Sequence, residues 1–249
     1  MGMKSWFRGL KRPVEPGRVP PAWRALIDRQ VPHVRLLDEA QRSTYDDRVE
    51  TFLRDKQFTG CNGLIVTDDM RVLVAGLACL MVLRPAAQVF PRLSSVLLYP
   101  EAFLVPSVVN EDGFVSEEPE ERVGESWGGH RVILSWPDVE AAIAGDEVNV
   151  VVHEFAHQLD DLKAGAEGAP ANVNAQRWAT VMREEFERLQ RHRRPPVLDP
   201  YGAESPAEFF AVATESFFQR GPELLRHHAA LYELLRDYYL IETARLALG

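Results

Sequence analysis

The chain has 249 residues, 46% of them hydrophobic and 26% charged, and a net charge of −9 at neutral pH. That size allows an ample core in one large domain or two small ones. The composition is that of a soluble globular protein, and its acidic balance argues against a nucleic-acid binder working by phosphate neutralisation. Two cysteines, Cys61 and Cys79, form neither a disulfide framework nor a Cys-x-x-Cys pair, so a reducing, cytoplasmic setting is expected. No run approaches the roughly 20 apolar residues that span a bilayer.

Residues 1–20 are expected to be a basic, flexible tail. Lys4, Arg8, Lys11 and Arg12 precede the proline-rich Pro13–Pro21 stretch with no apolar run behind them, unlike a signal peptide. Trp6, Phe7 and Leu10 among those charges would also suit contact with a membrane surface or an acidic partner. Residues 21–60 read as helical: an amphipathic segment begins at Trp23, Leu26 and Ile27, and a longer helix is expected around Ala40–Lys56. Gly60-Cys61-Asn62-Gly63 reads as a turn, followed by the short run Leu64-Ile65-Val66. Thr67 then looks like the N-cap of a helix over Asp68–Leu83, apolar nearly all round and stopped by Pro85.

Residues 61–140 carry the strands. Ser95–Tyr99 is a β-type run closed by Pro100, Phe103–Val109 is a second candidate, and His130–Trp136 is a third, with Pro137 at its end. Between them, residues 111–125 hold seven carboxylates and read as a solvated acidic loop. From Asp146 onward helices dominate: one carrying Val150–Leu159, one over Asn174–His192, one starting near Pro206, and the Leu224–Leu248 region. The expected fold class is α+β, a small mixed sheet packed on helices with a mostly helical C-terminal half, and residues 21–249 are expected to form a single domain.

Chemistry concentrates in Val150–Leu159, which contains His153-Glu154-x-x-His157 inside an apolar run. Residues four apart share a helix face, so His153 and His157 can offer two imidazoles to one metal ion. Glu154 is one step round, placed to reach a water beside the metal without occupying it. A catalytic zinc site uses three protein ligands and keeps an open position. The extended pattern that would supply a third histidine fails, because Asp160 and Lys163 stand where glycine and histidine are needed. Asp160 and Asp161 continue the same helix, and a residue seven beyond His153 rises about 10 Å, too far to close the site.

The third ligand is therefore sought on another helix. Ser205-Pro206 opens one well, with serine as N-cap and proline at the first position. Glu208 lies in its first turn among Phe209, Phe210, Ala211 and Val212, and is the best candidate. Glu204 is a rival that precedes the helix, and Glu215 shares the face of Glu208, where it suits orienting a ligand histidine more than binding metal.

HEFAHQLD and YGAESPAEFFAV together resemble gluzincin-type metallopeptidases, which include the Mlc titration factor A family and the anthrax lethal factor protease domain. FTGCNGLIVTDDMRVLVAGLACL, SSVLLYP and ESWGGHRVILSW extend the likeness to Mlc titration factor A proteins over about Lys56 to Phe218. The resemblance implies a zincin-like fold and one zinc ion held by His153, His157 and Glu208. It implies Glu154 as general base for a metal-activated water, and a catalytic Tyr201, whose hydroxyl would stabilise the oxyanion. The strand His130–Trp136 resembles the edge strand on which zincins lay a peptide substrate, with His130 lining the cleft. An aminopeptidase-like activity on peptides is implied, and binding to a Mlc-type repressor that governs sugar-uptake genes. The alternative is a regulatory protein-binding module whose metal site is gated or mainly structural. A toxin-like protease with one protein substrate is a third reading.

Overall fold

The computed structural model describes residues 19–85, 87–101, 108–109, 115–116, 130–161, 174–191 and 196–246. The chain enters through α1 (Pro21–Gln30), opened by a proline at its first position, and a short 3-10 turn (Pro32–Leu36). In that turn the buried His33 donates from Nε2 to the Phe218 carbonyl at 2.7 Å, tying the first segment to a helix 185 residues away. Asp38 then caps α2 (Glu39–Asp55): its carboxylate accepts from the Gln41 amide while the Gln41 side chain returns to the Asp38 amide.

Three strands form one sheet: β1 (Gln57–Gly60), β2 (Ser95–Tyr99) and β5 (Arg131–Ser135), in the order β1-β2-β5. A separate antiparallel pair joins β3 (Val108–Val109) to β4 (Val115–Ser116). The expected mixed sheet is corrected, because both pairings in the main sheet are parallel, with Gln57 opposite Ser95 and Ser95 opposite Arg131. Parallel neighbours need a crossover, and between β1 and β2 it is α3 (Asp68–Cys79), continued by a 3-10 turn at Leu80–Val82. Thr67 caps α3 as expected, accepting from the Met70 amide at 3.2 Å, and every residue from Val72 to Cys79 is buried. Alternate residues Val96 and Leu98 of β2, and Val132 and Leu134 of β5, fill the core.

A second correction falls at the end of β5. Trp136 and Pro137 do not finish the strand; they open α4 (Trp136–Ala144), with Ser135 as N-cap. Proline lacks the N–H that a first helical turn leaves unbonded anyway, so it starts a helix as readily as it ends a strand. The expected strand Phe103–Val109 falls within the described residues only at β3, and the acidic loop 111–125 only at β4. Residues 1–18 of the expected tail lie outside the described residues.

The rest is helical: α5 (Val150–Asp161), α6 (Ala175–Arg191), α7 (Pro206–Gln219), α8 (Gly221–His227) and α9 (Ala229–Tyr239). Phe155 of α5 packs edge-on to Phe90, ring centres 4.7 Å apart, and against Phe52 at 5.6 Å. Phe90 sits in a left-handed turn, φ 44°, held by the buried Lys56 ammonium, which donates to the Phe90 and Leu93 carbonyls at 2.7 and 2.8 Å. Helix α7 is buried from Phe209 to Gln219, and Phe217 and Phe218 pack against Tyr232 and Tyr239 with tilted rings. Each fully buried aromatic is worth about 1.5–3 kcal/mol, enough to fix α5 and α7 against the same core. Among the described residues no helix is long and apolar enough to cross a membrane.

Candidate metal centre

Two capped helix starts are brought together. Asn149 caps α5, its side-chain oxygen accepting from the Val152 amide at 3.0 Å, and Ser205 caps α7, accepting from the Glu208 amide at 3.1 Å. His153 and His157 then project from α5 and Glu208 from the first turn of α7. The two histidine Nε2 atoms are 3.1 Å apart, and Glu208 Oε2 lies 3.1 Å from the first and 3.4 Å from the second. These three residues form a group that could hold a metal ion. Their side chains are 16, 27 and 20% exposed, sheltered but reachable.

Glu215, seven residues beyond Glu208 on the same face of α7, sits behind His153. Its Oε1 is 2.5 Å from His153 Nδ1, and its Oε2 accepts from the buried Asn149 amide at 3.0 Å. An ionised carboxylate only accepts, so the proton of neutral His153 belongs on Nδ1 and the Nε2 lone pair faces the cluster. That lone pair meets a second imidazole nitrogen and a carboxylate oxygen within 3.4 Å. Electron pairs so close repel unless a proton or a cation lies among them, and two imidazoles with one carboxylate suit zinc. Burial works to lower the His153 pKa, but the bond and charge of Glu215, with Glu154 and Glu208, more than offset it and leave it raised. The cluster is short of positive charge.

Glu154 follows His153 on α5, and burial holds its carboxyl above the ordinary range although His153 and His157 pull it down. Tyr201 lies in a 3-10 turn (Pro200–Ala203), its ring centre 6.1 Å from that of His153 and its side chain about half exposed. Asp199 opens this turn by accepting from the Tyr201 amide at 2.8 Å. Gly202 lets the turn lie close on α7, since a Cβ there would meet Val212 Cβ at 3.1 Å.

Other candidates fall elsewhere. Asp160 and Glu204 are outside the three-residue group, and Glu204 is exposed before α7 begins. His130 is exposed at the start of β5, with Nδ1 2.6 Å from the Arg92 carbonyl. Two contributors went unread in the sequence. Asn149 both caps α5 and donates to Glu215, and its side-chain amide donates to Gln219 Oε1 at 3.3 Å. Gln219 in turn donates to the Asp146 carbonyl at 2.5 Å. An asparagine just before an apolar helical run is itself an N-cap signal; nothing local marks Gln219.

The family model for the glucose-regulated metallo-peptidase M90 family matches residues 5–240. The uncharacterized protein slr2042 of Synechocystis sp. is 37% identical over 251 residues, covering 97% of this chain and 91% of its own. Mlc titration factor A of Serratia proteamaculans is 30% identical over 221 residues, covering 84% of this chain and 83% of its own. The protein of the same name from Yersinia pestis is 30% identical over 227 residues, covering 87 and 84%. With a family model matched almost end to end and such relatives, this chain belongs to the glucose-regulated metallo-peptidase M90 family, that of the Mlc titration factor A proteins.

Proposed function

We propose that the chain is a zinc-dependent, aminopeptidase-like peptidase with a zincin-like fold, its metal ligands His153, His157 and Glu208. The observation that carries this reading is the convergence of three lone-pair donors from α5 and α7, with Glu215 fixing the His153 tautomer from behind. Zinc, when bound, supplies Lewis acidity to a carbonyl and to water. Glu154 takes the proton of the attacking water and passes it to the leaving amine as the C–N bond breaks. Burial raises its pKa, which makes the carboxylate a stronger base for that proton than an ordinary glutamate. The Tyr201 hydroxyl donates to the developing oxyanion. Among the described residues β5 is the last strand of its sheet, and its outer edge is the side along which an extended peptide would lie.

A second role, binding a Mlc-type repressor, is favoured by the name Mlc titration factor A carried by relatives that match 84% or more of this chain. The two roles are compatible if the partner controls access to the cleft.

The test combines zinc per chain with hydrolysis of aminoacyl and N-blocked peptide substrates by wild type and Glu154→Gln. One zinc in both proteins, turnover of free-amino substrates by wild type, and a loss of about 10²–10⁴-fold in the variant are expected. Substantial turnover by Glu154→Gln would remove Glu154 as the base, and absence of zinc in wild type would overturn the whole reading.

A further inference from the structure

Four polar side chains close a ring between α5 and α7. Asn149, at the start of α5, and His153 stand one turn apart, the His153 amide donating to the Asn149 carbonyl at 2.9 Å. Glu215 and Gln219 stand one turn apart on α7. Asn149 is 1% exposed, and Glu215 and Gln219 are each 8% exposed.

The hydrogen bonds of this ring run in one direction. The Gln219 NH₂ donates to the carbonyls of Asp146 at 2.5 Å and Ala142 at 3.4 Å, where α4 ends. Carbonyls only accept, so Gln219 Oε1 faces the other way and takes a bond from the Asn149 NH₂ at 3.3 Å. That leaves Asn149 Oδ1 for the Val152 amide at 3.0 Å. Reversing Gln219 would set oxygen against oxygen, and reversing Asn149 would set donor against donor. With both amides so fixed, the Asn149 backbone N–H is aimed at Glu215 Oε2 at 3.0 Å, and Glu215 Oε1 is left to His153 Nδ1 at 2.5 Å.

Capping does not account for the bond between Asn149 and Gln219. An N-cap needs only an acceptor, which serine or aspartate supplies as well as asparagine. Tying off the last carbonyls of α4 needs only the Gln219 NH₂. The further donor and acceptor that meet between the two residues serve neither task, and burying them carries a desolvation cost. What their bond does is hold the start of α5, and with it the Asn149 N–H, against Glu215.

We propose that Asn149 and Gln219 act as one positioning unit: their shared bond fixes the Glu215 carboxylate, which keeps the His153 proton on Nδ1 and its Nε2 turned to the metal. Both residues act through Glu215. The inference rests on the zinc-peptidase reading.

Asn149→Ser keeps the cap, Gln219→Leu keeps the buried volume, and each removes the shared bond. Zinc affinity is read by competition with a chelating indicator in each variant, in the double variant, and in each on a Glu215→Ala background. Nitrogen chemical shifts of the His153 ring in metal-free protein, at a pH where the ring is neutral, report its tautomer. Each single variant should lose about tenfold in affinity, the low end for an outer partner of a ligating histidine. The double variant should also lose about tenfold, because the two residues share one bond. On Glu215→Ala neither change should add a loss, and in wild-type background both should raise the Nε2–H population. Affinity within about twofold of wild type overturns the proposal. So does a loss of about a hundredfold in the double variant, or one that persists on Glu215→Ala. Lower stability in urea with the ring tautomer unmoved overturns it as well, because that is the mark of a structural role alone. Zinc bound as expected with no peptide hydrolysed overturns the peptidase reading and leaves the positioning unit standing. Absence of zinc in wild type overturns that reading too, and the ring tautomer then upholds or overturns the positioning unit by itself.

Discussion

Replacing Glu215 tests the proposed metal ligands apart from what would orient them. In Glu215→Ala the His153 Nδ1–H loses its acceptor, and the imidazole is free to turn or to move its proton to Nε2. Loss of such a partner weakens metal affinity by about 10–100-fold, which is about 1.4–2.8 kcal/mol. The same change strips the acceptor from the Asn149 amide, whose residue is 1% exposed, and an unsatisfied buried donor costs a further ~1–3 kcal/mol of folding stability. Glu215→Gln should fall between, since its single amide oxygen can serve only one of two donors while its NH₂ confronts the other. Zinc affinity read by competition with a chelating indicator, and urea unfolding of the metal-free protein, measure the two effects separately. Glu204→Ala, removing an exposed carboxylate just before α7, is the control and should change neither. A zinc affinity in Glu215→Ala within about twofold of wild type would refute the reasoning, because 10-fold is the least that loss of an orienting partner predicts.

Tyr201→Phe should retain zinc and lose about 10²–10³ in kcat, as expected for one missing oxyanion donor; unchanged kcat would leave Tyr201 a packing residue. Phe155→Ala opens a hole between Phe52 and Phe90 behind α5 and should cost about 3–5 kcal/mol in chemical denaturation. Burial lowers the His33 pKa against a smaller upward push from its bond to the Phe218 carbonyl. Its stabilising contribution is therefore complete above the unfolded value of about 6.5 and is lost as pH falls through the lower folded value. Unfolding free energies from urea titrations should drop between pH 7 and 5, by at most about 1.4 kcal/mol per pH unit from this group, and His33→Gln should flatten that slope.

The helices that carry the candidate centre were legible because their signals are local. Val150–Leu159 shows the helical period, Ser205-Pro206 announces a start, and the observed α5 and α7 follow those marks. Glu215 was placed on the face of Glu208 by spacing alone, and its bond to His153 Nδ1 follows from that face. What stayed hidden depends on partners distant in the chain. β1 has four residues, too few to show a period, and exists because Ser95–Leu98 lie beside it. The parallel direction of the β1–β2 pair is set by the α3 crossover, which strand composition does not encode. Pro137 illustrates a signal with two meanings, resolved only by the cap that Ser135 supplies. Gln219 joins the network through carbonyls 73 and 77 residues away, a relation with no sequence signature.

Helix α7 carries Glu208, Val212 and Glu215 in one row, which makes it a shaft whose twist all three share. Side chains reach about 5 Å from a helix axis, so turning α7 by about 10° would sweep each tip through roughly 1 Å. A displacement of that size can cost a catalytic site about 10²-fold. The near-continuous burial from Phe209 to Gln219, with Phe217 and Phe218 keyed into Tyr232 and Tyr239, acts as a torsional lock rather than only as core.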